Sequence, residues 1–237
     1  MIDDLSVLGV VPARGGSKGI NLKNLREVGG KSLVALAANT ARSVDEIDYT
    51  VVSTDHDAIA AAAEAAGIAA PFRRPEALSG DRIGDLEVLQ NALEEAERVR
   101  GERFDIVVML QPTSPLRTPD HVRGALRMLL DGGYDSVWSV SETDSKGHPL
   151  KQLTVTDGAL DYYDPAGAAI IARQQLKPVF HRNGIVYAIR RACLVEQQTI
   201  KGRRTGGYVV EGNHVSIDTE WDLELVNYLL SRERALT

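Results

Sequence analysis

Residues Val10–Leu25 read VVPARGGSKGINLKNL. The stretch leaves an aliphatic run, LSVLGVV from Leu5 to Val11, that has the make-up of a buried strand. At Pro12 it turns into a glycine-rich loop carrying Arg14, Lys18 and Lys23, with Arg26 just beyond. No acidic residue occurs between Leu5 and Arg26, although the chain as a whole carries a formal net charge of -6. Glycines let successive backbone N–H groups turn inward as a nest, and the cations add full positive charge. The physical reading is an anion cradle at the carboxyl end of the first strand, with a triphosphate as its natural guest and missing counter-ion. The competing reading is a solvated basic loop.

Known glycine motifs fit this loop poorly. A P-loop requires G-x-x-x-x-G-K-[ST]. Gly30-Lys31-Ser32 supplies its end, but Leu25 stands where the first glycine belongs. The dinucleotide fingerprint G-x-G-x-x-G is absent. Gly15-Gly16-Ser17-Lys18-Gly19 does match G-x-S-x-G, the nucleophile elbow. That elbow needs a helix starting at the serine, whereas KGINLKN is polar and broken by Gly19.

Outward from this loop, strand and helix signals alternate. KSLVALAANTARSV reads as a helix, YTVVSTD as a strand, and HDAIAAAAEAAG as an alanine-rich helix stopped by Gly67. DLEVLQNALEEAERV places Leu86, Leu89 and Leu93 on one helical face. FDIVVMLQP is a further strand, and Thr118-Pro119 opens another helix. YDSVWSV follows as a strand. Such alternation predicts an α/β fold with a mostly parallel sheet covered on both faces. Ligands in such sheets bind beyond the carboxyl ends of the strands. This directs attention to Arg14 to Asn24, to Thr54 and Asp55, and to Gln111 to Ser114.

The pattern changes near residue 142. HPLKQLTVTDGALDYY suggests a hairpin turning at Asp157-Gly158, and HRNGIVYAIRR a strand entered through Asn183-Gly184. The section 142–185 reads as a β-rich insertion within a single domain spanning 1–237. The end, DTEWDLELVNYLLSRE, reads as a helix capped by Asp218 or Thr219, with Leu223, Val226 and Leu230 inward.

Bulk composition narrows the function classes. The 237 residues are 43% hydrophobic and 25% charged, ordinary for a folded soluble protein. The net negative charge argues against a nucleic-acid polymer as partner, though not against a nucleotide. Cys193 is the sole cysteine, so no intrachain disulfide is expected, and its apolar context reads as a small buried hydrophobe. MIDDLS lacks the pattern of a secretory leader, and no apolar run is long enough to span a membrane. A cytoplasmic location is the expectation. The five histidines show no metal-ligand spacing.

Taken together, PARGGSKGINLKNL, VVSTDHDAIAAAAEAAG, RRPEALSGD, MLQPTSPLR, HPLK, RQQLKPVFHRNGIVY and SIDTEWDLEL resemble, in order, the blocks of the N-acylneuraminate cytidylyltransferases (CMP-sialic acid synthetases). The resemblance covers nearly the whole chain. It implies a three-layer αβα fold of the nucleotide-diphospho-sugar transferase type, Rossmann-like, with a small β-rich dimerisation insertion. It implies a nucleotidyltransferase that joins CTP to an acidic 2-keto sugar, giving a CMP-sugar and pyrophosphate, with Mg²⁺ or Mn²⁺ as cofactor and a homodimer as the assembly. Carried over by position, Arg14, Lys18 and Lys23 are the expected catalytic cations. Ala13, Gly15, Ser17, Asn24 and Arg74 join them in binding the nucleotide, with Asn24 and the backbone at Ala13 reading cytosine. Gln111, Lys151, Arg173 and Gln174 are the expected acceptor contacts, and Asp218 the metal ligand.

Each assignment has a plainer rival. Arg74 could be surface charge, Gln111 a turn residue, Lys151 an exposed hairpin lysine, and Asp218 the cap of the last helix. Asp55 reads best as a cap of the helix that follows it, and Trp221 as a packing residue. Two departures from the family pattern stand out. Its usual D-I-D-T-E appears here as Ser216-Ile217-Asp218-Thr219-Glu220, and on a strand residues 216 and 218 would share one face. The adjacent aromatics expected before the final strand are missing from EQQTIKGRRTGGYVV.

Overall fold

The aliphatic run Val7–Pro12 forms β1, an inner strand next to one edge of a six-stranded sheet. The computed structural model describes residues 1–234. After β1 come the two-residue strands β2 (Glu27–Val28) and β3 (Lys31–Ser32), which pair only with each other. Then follow α1 (Leu33–Arg42), β4 (Tyr49–Ser53), α2 (Asp57–Ala65), α3 (Asp85–Arg100), β5 (Ile106–Met109), α4 (Pro119–Asp131) and β6 (Ser136–Glu142). A hairpin of β7 (Leu153–Thr156) and β8 (Ala159–Tyr162) precedes β9 (Phe180–Arg190), α5 (Arg191–Val195), β10 (Thr205–Val209) and α6 (Glu220–Arg234).

The main sheet runs β10-β6-β9-β5-β1-β4. β1 is parallel to β4 and β5, and β10 to β6, whereas β9 is antiparallel to both of its neighbours. The sheet is therefore mostly parallel, as the alternation of elements implied. The carboxyl ends of β1, β4 and β5 share one edge, where the candidate residues gather.

Alternation along β1 sends Val7 and Val11 to one face and Leu8 and Val10 to the other. The first face packs against α1, α2 and α4 through Val34, Ala38, Ile59 and Leu126. The second packs against α3 and α5 through Leu89, Leu93, Phe104 and Leu194. The result is three layers. A smaller core joins Ile20 of the glycine loop to Leu33, Ile217, Leu223 and Val226, so α6 holds that loop from below. Burying each such side chain contributes about 1.5–3 kcal/mol.

The hairpin turns where expected: Asp157 and Gly158 have φ of 51° and 81°, as a type I′ turn demands. All eight residues of β7 and β8 are exposed. Asn183-Gly184, by contrast, does not open β9. It sits inside the strand, where the pairing with β6 shifts register between Trp138 and Val140. Gly184 has φ +70°, a bulge conformation that glycine adopts without cost.

Candidate functional site

Three loops at the carboxyl edge enclose a cavity of about 250 Å³. The loop after β1 contributes Arg14, Ser17, Lys23 and Asn24; the loop before α3 contributes Arg74, Leu78, Gly80, Asp81 and Ile83; the loop after β5 contributes Gln111 to Thr113. Asp85, the first residue of α3, and Val88 line it as well. Six of the residues read from sequence therefore meet in one place: Arg14, Ser17, Lys23, Asn24, Arg74 and Gln111.

Hydrogen bonds set the shape of the glycine loop. The Ala13 N–H donates to Ser53 O at 2.9 Å, so this fully buried residue extends the β1–β4 ladder. Gly15 N–H donates to Asp55 Oδ1 at 2.8 Å. A Cβ on Gly15 would lie 2.9 Å from His56 Cδ2, and one on Gly19 would lie 2.4 Å from Asp218 O. The loop thus passes too close to its neighbours for side chains at these points. Buried Asn24 donates its amide to Arg14 O at 2.9 Å and closes the loop on itself.

The apparent lack of counter-charge is corrected by the fold. Arg14 lies 3.0 Å and Lys18 2.6 Å from Asp81; Lys23 lies 2.8 Å from Asp218; Arg26 forms a two-pronged pair with Glu220. The acids arrive from residues about 65 and 195 positions downstream, beyond any local reading of charge. Asp81 sits between two cations, and their hydrogen bonds and charges hold its carboxyl below the usual range.

Asp55 is also corrected. His56, not Asp55, caps α2, its Nδ1 accepting from Ala58 N–H at 3.2 Å. Asp55 instead pins Gly15 and faces buried Arg74 at 4.0 Å. Arg74 is no surface residue. Its backbone N–H reaches Thr54 O at 2.8 Å and its Nε reaches Ser79 Oγ at 3.2 Å. Burial lowers its pKa, Asp55 opposes that shift, and Arg14 adds to it.

Asp218 lies on a segment without regular secondary structure, so residues 216 and 218 are not on a strand. Ile217 N–H donates to Thr113 O at 2.8 Å, tying the segment to the loop after β5. Exposure still alternates: Ser216 and Asp218 face out while Ile217 is buried. The cap of α6 is Thr219, whose Oγ1 accepts from Asp222 N–H at 3.3 Å while Asp222 Oδ2 accepts from Thr219 N–H at 2.7 Å. Asp218 is thereby free of capping duty. Trp221, expected to pack, is 69% exposed at the start of α6, because Ile217, Leu223 and Val226 already fill that core.

Lys151, Arg173 and Gln174 stand apart from this cavity. Lys151 ends an exposed 3-10 turn, Pro149–Lys151, just before β7. Arg173 and Gln174 line a second cavity with Glu142, Thr143, His148 and Lys177. Lys18 and Gly15 flank the first cavity without lining it. No sequence signal singles out Asp81 or Asp85: in RRPEALSGD the arginine carries the family pattern, while the final Asp81 closes on the cradle.

The model of a protein family described as Cytidylyltransferase matches residues 8–234. A flagellin post-translational modification protein B of Campylobacter coli is 25% identical over 96% of this chain and 96% of its own. A CMP-N,N'-diacetyllegionaminic acid synthase of Campylobacter jejuni is 26% identical over 95% of each. Among solved structures, a CMP:2-keto-3-deoxy-manno-octonic acid synthetase complexed with CTP superposes with a TM-score of 0.68 at 20% identity, covering 96% of this chain and 99% of that one.

Proposed function

The chain belongs to the cytidylyltransferase family, and on that premise we propose that it uses CTP to activate an acidic 2-keto sugar of the nonulosonic acid class, giving a CMP-sugar and pyrophosphate. The observation that carries this reading is the meeting of Arg14, Ser17, Lys23, Asn24, Arg74 and Gln111 around one cavity at the carboxyl edge of the sheet. Similarity to a legionaminic acid activating enzyme supports the acceptor class.

The reaction is a displacement at the α-phosphorus. A hydroxyl oxygen of the sugar bonds to that phosphorus, the bond to the bridging oxygen breaks, pyrophosphate departs, and the hydroxyl proton passes to solvent. Such chemistry needs alignment and charge neutralisation more than a protein nucleophile. Arg14 and Lys18 are assigned to the outer phosphates and Lys23 to the oxygens on which charge accumulates. Asn24 and the backbone at Ala13 are assigned to the base, with Arg74 beside the nucleotide and Gln111 on the acceptor. The triphosphate displaces Asp81 from Arg14 and Lys18.

Asp218 fits a Mg²⁺ or Mn²⁺ ion. Among the described residues no three His, Cys, Asp or Glu side chains form a cage of their own. One exposed carboxylate beside a phosphate cradle suits a cation that takes its other ligands from phosphate and water. When bound, the ion would neutralise charge on the transferring phosphates. Ser216 supplies at most a neutral hydroxyl next to it.

Residues 143–179 leave the main sheet between β6 and β9, and we assign them to a homodimer contact that brings Lys151, Arg173 and Gln174 to a partner's acceptor. The exposed Leu153, Val155, Leu160, Tyr162 and Ile171 support that assignment. No helix among the described residues is long and apolar enough to cross a membrane; the location we propose is the cytoplasm. The alternatives are the same chemistry on a phosphonate or Kdo-like acceptor, or a homologue that binds nucleotide without turnover, favoured by Ser216 in place of an aspartate.

Pyrophosphate release from CTP and Mg²⁺ with a panel of acceptors separates these. Release with a nonulosonic acid supports the proposal. Release only with other acceptors moves the assignment to them, and CTP binding without turnover on any acceptor supports the impaired homologue.

A further inference from the structure

Arg117 ends the block MLQPTSPLR and is almost fully buried. Among the described residues no carboxylate lies within ion-pairing distance of it. Its guanidinium instead donates to three backbone carbonyls: Nε to Ile185 O, and NH2 to Gln111 O and, at 3.3 Å, to Gly184 O. Burial without a counter-anion pushes its pKa down to about 9. A charge in such a place is costly unless hydrogen bonds replace its lost hydration. Here the planar fork spans groups on two different elements, the loop after β5 and the bulge of β9.

Those two elements meet at Gln111, which lines the cavity. A Cβ on Gly184 would lie 2.5 Å from Gln111 Oε1 and 3.0 Å from Ser114 Oγ. Ser114 Oγ donates to Asn183 O at 3.1 Å, and Asn183 Oδ1 accepts from Ser139 Oγ at 2.6 Å. The Asn183 amide donates to Ser141 Oγ at 3.0 Å. A buried polar network therefore fixes the bulge from below while Arg117 fixes the loop to the bulge.

We infer that Arg117 is a positioning residue for the acceptor end of the site: by gripping the carbonyls of Gln111, Gly184 and Ile185 it holds the Gln111 side chain against the bulge and aims it into the cavity. It touches neither nucleotide nor acceptor. The inference rests on the reading of Gln111 as an acceptor contact, and it separates acceptor binding from nucleotide binding, since Arg14, Lys23 and Asn24 are held by other bonds.

The test is Arg117→Lys, which keeps the charge but not the fork, beside Gly184→Ala, which disturbs Gln111 directly. Both should raise the acceptor KM about tenfold or more, with kcat and the Kd for CTP within about threefold of the parent. Amide exchange at residues 111–117 and 181–186 should quicken in Arg117→Lys while the glycine loop is unchanged. An unchanged acceptor KM, or equal losses in CTP and acceptor binding, overturns the inference. If the unaltered protein turns over no acceptor, the functional proposal fails by itself. Arg117 is then judged on exchange alone: quickening confined to the two segments supports it, and uniform or absent quickening overturns it.

Discussion

Lys23 Nζ sits 2.8 Å from Asp218 Oδ1 and 2.8 Å from Ile217 O, so the far end of the glycine loop is bonded to the segment that leads into the last helix. The lysine is only 14% exposed and the carboxylate 73% exposed. The cation is thus fixed in place by a backbone carbonyl, while the anion remains open to a further ligand. A nucleotide phosphate and a cation entering together would each find an opposite charge already positioned.

Lys23→Ala is expected to lower kcat/KM for CTP by about 100-fold or more, the usual cost of deleting one preorganised charge donor. Steady-state kinetics with saturating acceptor checks this. Near-normal turnover would remove Lys23 from the chemistry and leave it as a tie between loop and helix.

Ser216→Asp is expected to leave turnover unchanged or raise it, and to lower the Mg²⁺ concentration needed for half-maximal rate. Ser216 and Asp218 flank buried Ile217 and both face outward, so a second carboxylate would join the first. A metal titration of both proteins reads this out. A collapse of activity in a folded variant would mean that Ser216 has a role of its own.

Asp81→Asn is expected to tighten CTP binding by about three- to tenfold, because Arg14 and Lys18 would no longer be held by an internal anion. Stability should change little, since solvent screens exposed pairs of this kind. Calorimetric titration and a melting curve test both halves. Weaker CTP binding would show that Asp81 takes part in holding the nucleotide.

Acid should loosen the start of α4. His121 Nδ1 accepts from Thr118 N–H at 3.1 Å, completing a capping box, and its ring meets His214 edge-on at 5.2 Å. Burial lowers the His121 pKa, the charges on His214 and Arg117 lower it further, and Asp120 opposes them. The folded form therefore prefers neutral imidazole. Stability is complete above the unfolded pKa of about 6.5 and is lost as pH falls from there through the lower folded pKa. A lost cap is about 1 kcal/mol, or about 2–4 °C for a chain of this size. His121→Gln keeps a capping-box side chain without the titration, so its melting temperature should fall less between pH 7.5 and 5.5. Equal falls in both proteins would place the acid sensitivity elsewhere.

Local chemistry was legible in the sequence and distant pairing was not. Thr118-Pro119 foretold the start of α4, Asp157-Gly158 the hairpin turn, and the polar residues after β1 and β5 the cavity itself. The counter-charges of the cradle could not be read, because Asp81, Asp218 and Glu220 reach it only through the crossovers of the sheet. An aspartate before a helix usually caps it, but His56 takes that place and leaves Asp55 to the glycine loop. Trp221 reads as a packing residue at a helix start, yet Ile217, Leu223 and Val226 fill the space beneath α6 and leave it exposed.

The proposed reaction splits CTP between its α- and β-phosphates and passes the CMP half to an acidic sugar. Parallel reactions with CTP labelled at the α- or γ-phosphate, with Mg²⁺ and a nonulosonic acid, test it most directly. α-Label is expected in a CMP-sugar and γ-label in pyrophosphate, in equal amounts and only when the sugar is present. γ-Label on the sugar or in free phosphate would contradict it.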